Sequence, residues 1–137
     1  MYIVVGLPGS GKTTWAREFC RKNNLDLIDD PKGLITDLVE QHYQEVLISD
    51  PNLCLYRNFQ AAKILFPKAK WVFFEPNSEI CWKNVESRKS KEPWKKISKG
   101  FFDRLSQAYS DNYNKMSDGV EVVQILKCYN SLETIEP

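Results

Sequence analysis

The sequence has little histidine and no closely spaced cysteines. The chain contains one histidine and four cysteines, with no C-x-x-C pair and no cysteine beside a histidine cluster. Because a zinc site or a dense disulfide framework needs such groupings, neither is predicted. We expect His42 to be a surface residue without a catalytic role. We expect the four cysteines to be free, buried thiols: Cys20, Cys54, Cys81 and Cys128.

The sequence also lacks an apolar run long enough to cross a membrane and an excess of charge of either sign. Lys and Arg total 19 against 18 Asp and Glu, which gives a net charge of +1. Total charge therefore neither favours nor excludes a nucleic-acid partner. The opening MYIVV has no basic leader and has the composition of a buried strand, so we expect a cytoplasmic protein in a reducing compartment.

Short apolar runs alternate with longer helical patterns along the 137 residues. This alternation predicts a single domain over residues 1–137 with an α/β fold, a five-stranded parallel sheet covered by helices on both faces. Ligands bind beyond the carboxyl ends of the strands in such sheets. The predicted strands are 2–5, 25–30, 45–50, 71–76 and 120–126, and the predicted helices are 12–22, one from Pro31, 53–66, 78–89 (with Ser78 as N-cap) and 100–113.

The first predicted strand leads into GLPGSGKT, residues 6–13, which has the G-x-x-x-x-G-K-T spacing of a P-loop. In a P-loop, backbone N–H groups and the following helix N-terminus surround phosphate groups. Lys12 is expected to neutralise the β- and γ-phosphates, and the Thr13 hydroxyl to bind Mg²⁺. The predicted ligands are thus a nucleoside triphosphate and Mg²⁺. The predicted nucleotide contacts are Gly6, Pro8, Gly9, Ser10, Gly11, Lys12, Thr13 and Thr14.

Acidic residues follow the second and third predicted strands. Asp50 ends VLISD and is expected to act with Thr13 at the metal, although many strands end in Asp for reasons of turn geometry. LIDD ends in Asp29 and Asp30. One of them is the candidate base that accepts a proton from an attacking hydroxyl. Asp30 precedes Pro31 and fits an N-cap, so Asp29 is the preferred base.

Residues 83–99 form a basic segment with seven basic residues and two acidic ones. It has three interpretations. A lid over ATP would bring Arg88 to the transferring phosphate. A surface for a phosphodiester backbone would let Trp94 stack on a base. A solvated helix pair would have no role in the reaction. The lid is preferred because phosphoryl transfer needs water excluded and charge neutralised.

These motifs together resemble the 5′-kinase domain of phage-type polynucleotide kinases and their small P-loop relatives. The resemblance rests on GLPGSGKTTWAREF, LIDD, VLISDPNL and ESRKSK, and covers about residues 2–112. It implies a kinase-type P-loop NTPase fold of three layers and ATP-dependent phosphorylation of a hydroxyl, characteristically the 5′-OH of a polynucleotide. It also implies either an ordinary cytoplasmic protein or a phage-encoded one in the host cytoplasm.

The resemblance also implies roles for individual residues. It assigns the phosphate and magnesium contacts to Lys12 and Thr13, the base to Asp29, and the first lid arginine to Arg88. Glu92 stands where the family has the second lid arginine, so that Lys91 or Lys89 would replace it. The remaining candidate acceptor contacts are Asp30, Lys32, Asn52, Arg57 and Lys91.

The sequence therefore predicts a P-loop kinase whose acceptor is a hydroxyl of a nucleic acid or nucleotide. One alternative is a kinase for a small metabolite or a nucleoside. The other is a regulatory ATP-binding protein that hydrolyses slowly or not at all. Oligomeric state is left open by the sequence.

Overall fold

In a computed structural model of the chain, the structure describes residues 1–29, 45–91 and 97–128, with the side chains of 89–91 left aside. Several predictions lie outside the described residues: the helix from Pro31 with His42, the acceptor candidates Asp30 and Lys32, and the segment around Trp94. No helix within the described ranges is both long and apolar enough to span a membrane.

The described strands form one parallel sheet of five members. They are β1 (Tyr2–Val5), β2 (Asp26–Asp29), β3 (Val46–Ser49), β4 (Lys70–Phe74) and β5 (Val122–Leu126). Their order across the sheet is β2-β3-β1-β4-β5, with every neighbouring pair parallel. The chain's first strand is therefore the central one. The predicted five-stranded parallel sheet is confirmed.

Four α-helices of the described ranges cover the sheet. They are α1 (Lys12–Asn23), α2 (Tyr56–Leu65), α3 (Ser78–Lys91) and α4 (Lys99–Asp118), and a short 3₁₀ helix (Pro51–Cys54) precedes α2. A hydrophobic core lies on each face of the sheet. Because successive strand residues point to opposite faces, β1 contributes side chains to both cores. Val4 packs with Ala16 and Cys20 of α1 on one face. Ile3 and Val5 pack with residues of α2, α3 and α4 on the other.

Two local predictions were wrong. Asn77, not Ser78, caps α3, because its Oδ1 accepts a hydrogen bond from the N–H of Ile80 at 3.1 Å. The predicted single helix over 53–66 is divided at Leu55, whose backbone is extended. Pro51 begins a 3₁₀ turn there, and Asp50 caps it by accepting from the N–H of Asn52 at 2.9 Å.

A buried tyrosine of α4 connects the carboxyl ends of β1 and β4. The Tyr109 hydroxyl donates to the carbonyl of Phe74 at 2.5 Å and lies 3.4 Å from the carbonyl of Val5. Tyr109 is fully buried, and burial raises the pKa of its hydroxyl above the ordinary value of 10.0. The hydroxyl therefore stays protonated and remains a donor to the strand ends.

We expect Tyr109→Phe to destabilise the protein by about 1–3 kcal/mol, because the Phe74 carbonyl loses a buried donor. Urea unfolding followed by circular dichroism measures the change. Tyr113→Phe, in the neighbouring half-buried tyrosine, is the matched control and should cost clearly less. Equal losses in the two variants would contradict the bridging role of Tyr109.

Candidate functional site

The P-loop connects β1 to α1 at the carboxyl edge of the sheet. Gly9 and Gly11 have φ angles of 84° and 91°, a region that side chains disfavour. The N–H of Ser10 donates to the carbonyl of Leu7 at 3.1 Å, which closes a turn. Gly11 is the left-handed residue immediately before α1. The loop backbone therefore curls around the positive end of α1, as a phosphate cradle requires.

Polar atoms under the loop also indicate a ligand. Ser10 is buried, and its Oγ has no hydrogen-bond partner among the described residues. A Cβ on Gly6 would come 2.8 Å from that Oγ and 3.1 Å from the Cβ of Phe74. Gly6 is thus required by close packing, and Ser10 presents a buried hydroxyl that lacks an acceptor. Phosphate oxygens are suitable acceptors for it.

Helix α3 supports the loop from behind. The side-chain amide of Asn84 donates to the carbonyl of Gly9 at 2.8 Å, and Asn84 is 8% exposed. A Cβ on Gly9 would overlap the carbonyl oxygen of Cys81 and would lie 3.0 Å from a methyl of Val85. The loop can therefore lie this close to α3 only because Gly9 lacks a side chain.

We expect Gly9→Ala to weaken ATP binding at least about tenfold, because a left-handed backbone with a Cβ is strained and the Cβ overlaps α3. Isothermal titration calorimetry with ATP measures this. Gly100→Ala is the matched control, since its Cβ would meet only Arg104 Nη1 at 3.6 Å; it should leave ATP affinity unchanged. Unaltered affinity in Gly9→Ala would refute this account of the loop.

Lys12 lies at the centre of the charged site. It is 7% exposed, and burial lowers the pKa of its ammonium below the ordinary 10.5. Cys54, Asp29 and Asp50 act in the opposite direction through their charge, while Arg88 adds to the lowering. The P-loop lysine, both predicted acids and the predicted lid arginine are therefore within electrostatic reach of one another.

This environment predicts that ATP binding takes up protons at alkaline pH. Part of Lys12 is neutral below pH 10.5 in the free protein because its pKa is lowered, and bound phosphates favour the charged form. Calorimetry in two buffers of different ionisation enthalpy should therefore give different binding heats. Lys12→Arg, which keeps its charge, should abolish the difference. A buffer-independent heat in the unmodified protein would contradict the lowered pKa.

The sheet brings the two predicted acids together at one edge. Asp29 ends β2 and is paired in register with Ser49 of β3, and Asp50 follows Ser49 directly. Asp29 is exposed and Asp50 partly buried. Ser49 is fully buried, and its Oγ has no partner within the described part of the chain. A hard cation with bound water, held by Asp50 and the Thr13 hydroxyl, suits this oxygen-rich edge.

The other predicted contacts are placed less completely. Arg88 is exposed on α3, one helical turn beyond Asn84. The helix that contacts Gly9 therefore also carries the arginine that was predicted to belong to a lid. Asn52 and Arg57 are exposed in the 3₁₀ turn and at the start of α2, close in sequence to Asp50. Lys91 is the last residue of α3, and its side chain is outside the described set.

A cavity of about 380 Å³ adjoins the P-loop. It lies between the first turn of α1 and the ends of β4 and β5, and its walls are largely apolar: Gly11, Thr14, Trp15, Phe74, Leu126 and Lys127. A second cavity of about 440 Å³ lies at the other end of β4 and β5, between Phe66 and Glu121. Only the first is next to the phosphate cradle.

Sequence reasoning missed the residues that hold the loop in place. Asn84, Tyr109 and the backbone of Cys81 act through contacts between distant parts of the chain, and no local pattern marks them. Cys54 was predicted only as a buried thiol, yet it lies beside Lys12, and burial raises its own pKa to about 12. Its position in VLISDPNLC, four residues after Asp50, was the available signal.

Comparisons with known proteins agree with this geometry. A family model described as an AAA domain matches residues 1–65, the part with the P-loop and the first three strands. An uncharacterized protein of Acanthamoeba polyphaga mimivirus is 28% identical over an alignment 131 positions long, and the match covers 83% of this chain and 86% of that protein.

Three solved structures share the fold. A gluconokinase from Sinorhizobium meliloti 1021 has a TM-score of 0.65 at 13% identity, with 98% of this chain and 85% of that one covered. Deoxyadenosine kinase from M. mycoides with bound dATP has a TM-score of 0.59 at 14% identity, with 92% of this chain and 91% of that one covered. Shikimate kinase from Bacteroides thetaiotaomicron has a TM-score of 0.55 at 19% identity, with 98% of this chain and 88% of that one covered. The chain therefore has the α/β fold of the P-loop kinases.

Proposed function

We propose that this protein is an ATP-dependent kinase that transfers the γ-phosphate of ATP to a hydroxyl group. The observation on which this rests is the grouping around Lys12, where Asp29, Asp50 and Arg88 all act on the charge of one lysine next to the phosphate cradle. A binding protein needs the cradle and Lys12. An exposed carboxylate at the end of β2, within electrostatic reach of Lys12, is in addition suited to remove a proton from an acceptor.

Each residue has a distinct role in this proposal. The P-loop N–H groups and the Ser10 hydroxyl bind the β-phosphate, and Lys12 neutralises charge on the β- and γ-phosphates. Asp29 accepts the proton of the attacking hydroxyl, since it is exposed at the edge where an acceptor can reach it. Arg88 stabilises the charge on the phosphoryl group in transit, as its position one turn beyond Asn84 allows.

Thr13 and Asp50 would hold Mg²⁺, with Ser49 available to an attached water. When bound, the ion neutralises phosphate charge and orients the phosphates for in-line displacement. The Asp50 oxygen that caps the 3₁₀ turn fixes the orientation of the carboxylate. The nucleotide base would lie in the 380 Å³ cavity against Trp15 and Phe74, which offer aromatic surface close to Gly11.

The first candidate acceptor is a hydroxyl of a nucleic acid or nucleotide, characteristically a 5′-OH. The basic segment 83–99, with seven basic residues against two acidic ones, supports it. Arg88 belongs to this segment and lies within electrostatic reach of Lys12. Arg57 and Asn52, exposed just beyond Asp50, are available on the acceptor side.

A second candidate is a small metabolite or a nucleoside. Solved structures of the same fold include kinases named for gluconate, shikimate and deoxyadenosine. All three are of about the length of this chain, since the shared fold covers 85–91% of each. A short chain of this fold is thus compatible with a small acceptor as well as with a polynucleotide end.

A transfer assay with γ-labelled ATP tests the proposal. The acceptors are 5′-OH oligonucleotides, modified-base DNA, nucleosides, nucleoside monophosphates and small polyhydroxy acids. We expect label in at least one class. We expect Asp29→Asn to lower transfer at least about 100-fold, since general-base catalysis contributes that much, with unchanged ATP affinity. Asp26→Asn, the same change at the other end of β2, is the matched control and should leave transfer intact.

Two results would contradict the kinase proposal or its base. ATP binding without transfer to any acceptor would favour a regulatory ATP-binding protein. Full transfer by Asp29→Asn would remove Asp29 as the base, and Asp30→Asn would then be the next variant. Competition by single-stranded DNA that weakens steeply with salt would favour the nucleic-acid acceptor over the small molecule.

A further inference from the structure

Two cysteines that are 47 positions apart in the sequence meet behind the P-loop. The Sγ atoms of Cys81 and Cys128 are 2.6 Å apart. Cys81 is buried in the first turns of α3, and Cys128 follows β5 and is partly exposed. All four cysteines are free thiols, as expected, but the contact between this pair was not predicted. The sheet order, which sets β5 beside β4, brings together residues that no sequence spacing suggests.

The distance favours a covalent pair over a shared metal. Two thiolates bound to one tetrahedral zinc at about 2.3 Å each are nearly 4 Å apart. No group of three or more candidate metal ligands occurs in the described ranges. A disulfide has a sulfur–sulfur distance of about 2.05 Å, so its formation needs a movement of only about half an ångström.

The two thiols differ in a way that gives each a role. The hydrogen bond with Cys81 lowers the pKa of Cys128, and the same bond together with burial raises the pKa of Cys81. Cys128 is also the more exposed of the two. Cys128 is therefore the thiol that an external oxidant reaches and that ionises first.

We propose that Cys81 and Cys128 form a reversible disulfide that connects the end of β5 to the helix supporting the P-loop. With a low-molecular-mass disulfide such as glutathione disulfide as oxidant, the Cys128 thiolate attacks one sulfur and releases one glutathione thiolate. Cys81 then loses its proton, attacks Cys128 Sγ and displaces the second glutathione. The protein gives up two protons and two electrons, and glutathione disulfide is reduced to two glutathione molecules.

The position of the disulfide links it to the nucleotide site. The Cys81 carbonyl lies against Gly9, and Asn84 on the next turn donates to the Gly9 carbonyl. On the other side, Leu126 and Lys127 line the cavity beside the P-loop directly before Cys128. The disulfide therefore fixes two walls of the site to each other. This consequence for ATP rests on the proposed function, whereas the disulfide itself does not.

The test uses the full chain, fully reduced and then equilibrated with glutathione buffers of increasing disulfide content. We expect loss of two alkylatable thiols, a cross-linked peptide containing Cys81 and Cys128 in the non-reducing digest, and a rise in Tm of roughly 10 °C. Reduction should reverse all three changes. None of the three should occur in Cys128→Ser or Cys81→Ala. All three should still occur in Cys20→Ser, because Cys20 lies in α1 on the opposite face of the sheet.

ATP affinity provides the second readout. Because the oxidised walls are already fixed, we expect oxidation to tighten ATP binding about two- to fivefold, with no change in Cys128→Ser. If four thiols still react with the alkylating reagent at the highest oxidant ratio, the disulfide proposal is wrong. If the disulfide forms but the oxidised protein binds ATP no more tightly than the reduced one, the proposed link to the site is wrong. No ATP binding in either state, with the disulfide formed, would instead contradict the proposed nucleotide site.

Discussion

The fit of Gly9 against helix α3 is the constraint on which the site depends. Gly9 is a left-handed residue of the phosphate cradle and lies against the carbonyl of Cys81, which its lack of a side chain allows. Asn84 donates a hydrogen bond to the Gly9 carbonyl. The same helix places Arg88 one turn further on. The curvature of the loop and the position of the arginine are therefore set by one rigid element, and a shift of α3 changes both at once.

Charge is the second organising feature, and it is balanced within the site. Lys12 is removed from solvent, which by itself disfavours its charge. Asp29 and Asp50 at neighbouring strand ends offset part of that effect, and Arg88 opposes them. Bound phosphate groups would add negative charge beside Lys12. They would therefore favour its charged form, which burial disfavours.

The sequence was sufficient for the features with local causes. Strand alternation predicted the five parallel strands, and the spacing of Gly6 to Thr13 predicted the loop and the start of α1. The acids at the ends of β2 and β3 followed from parallel strands sharing one edge. Asn84, Tyr109 and the Cys81–Cys128 pair were not predictable, because each depends on which segments the tertiary fold brings side by side. The cap of α3 was missed for a smaller reason: Asn77 and Ser78 are both good caps, and the helix begins one residue earlier than the choice of Ser78 implied.

The central position of β1 has a consequence for how the protein forms. The phosphate loop comes before its partners in the sequence, since its strand pairs with β3 and β4 and its glycine fits against α3. The hydrogen bond between Asn84 and the Gly9 carbonyl joins residues that are 75 positions apart. The loop therefore gains its final geometry late in folding, because contacts of large sequence separation form slowly.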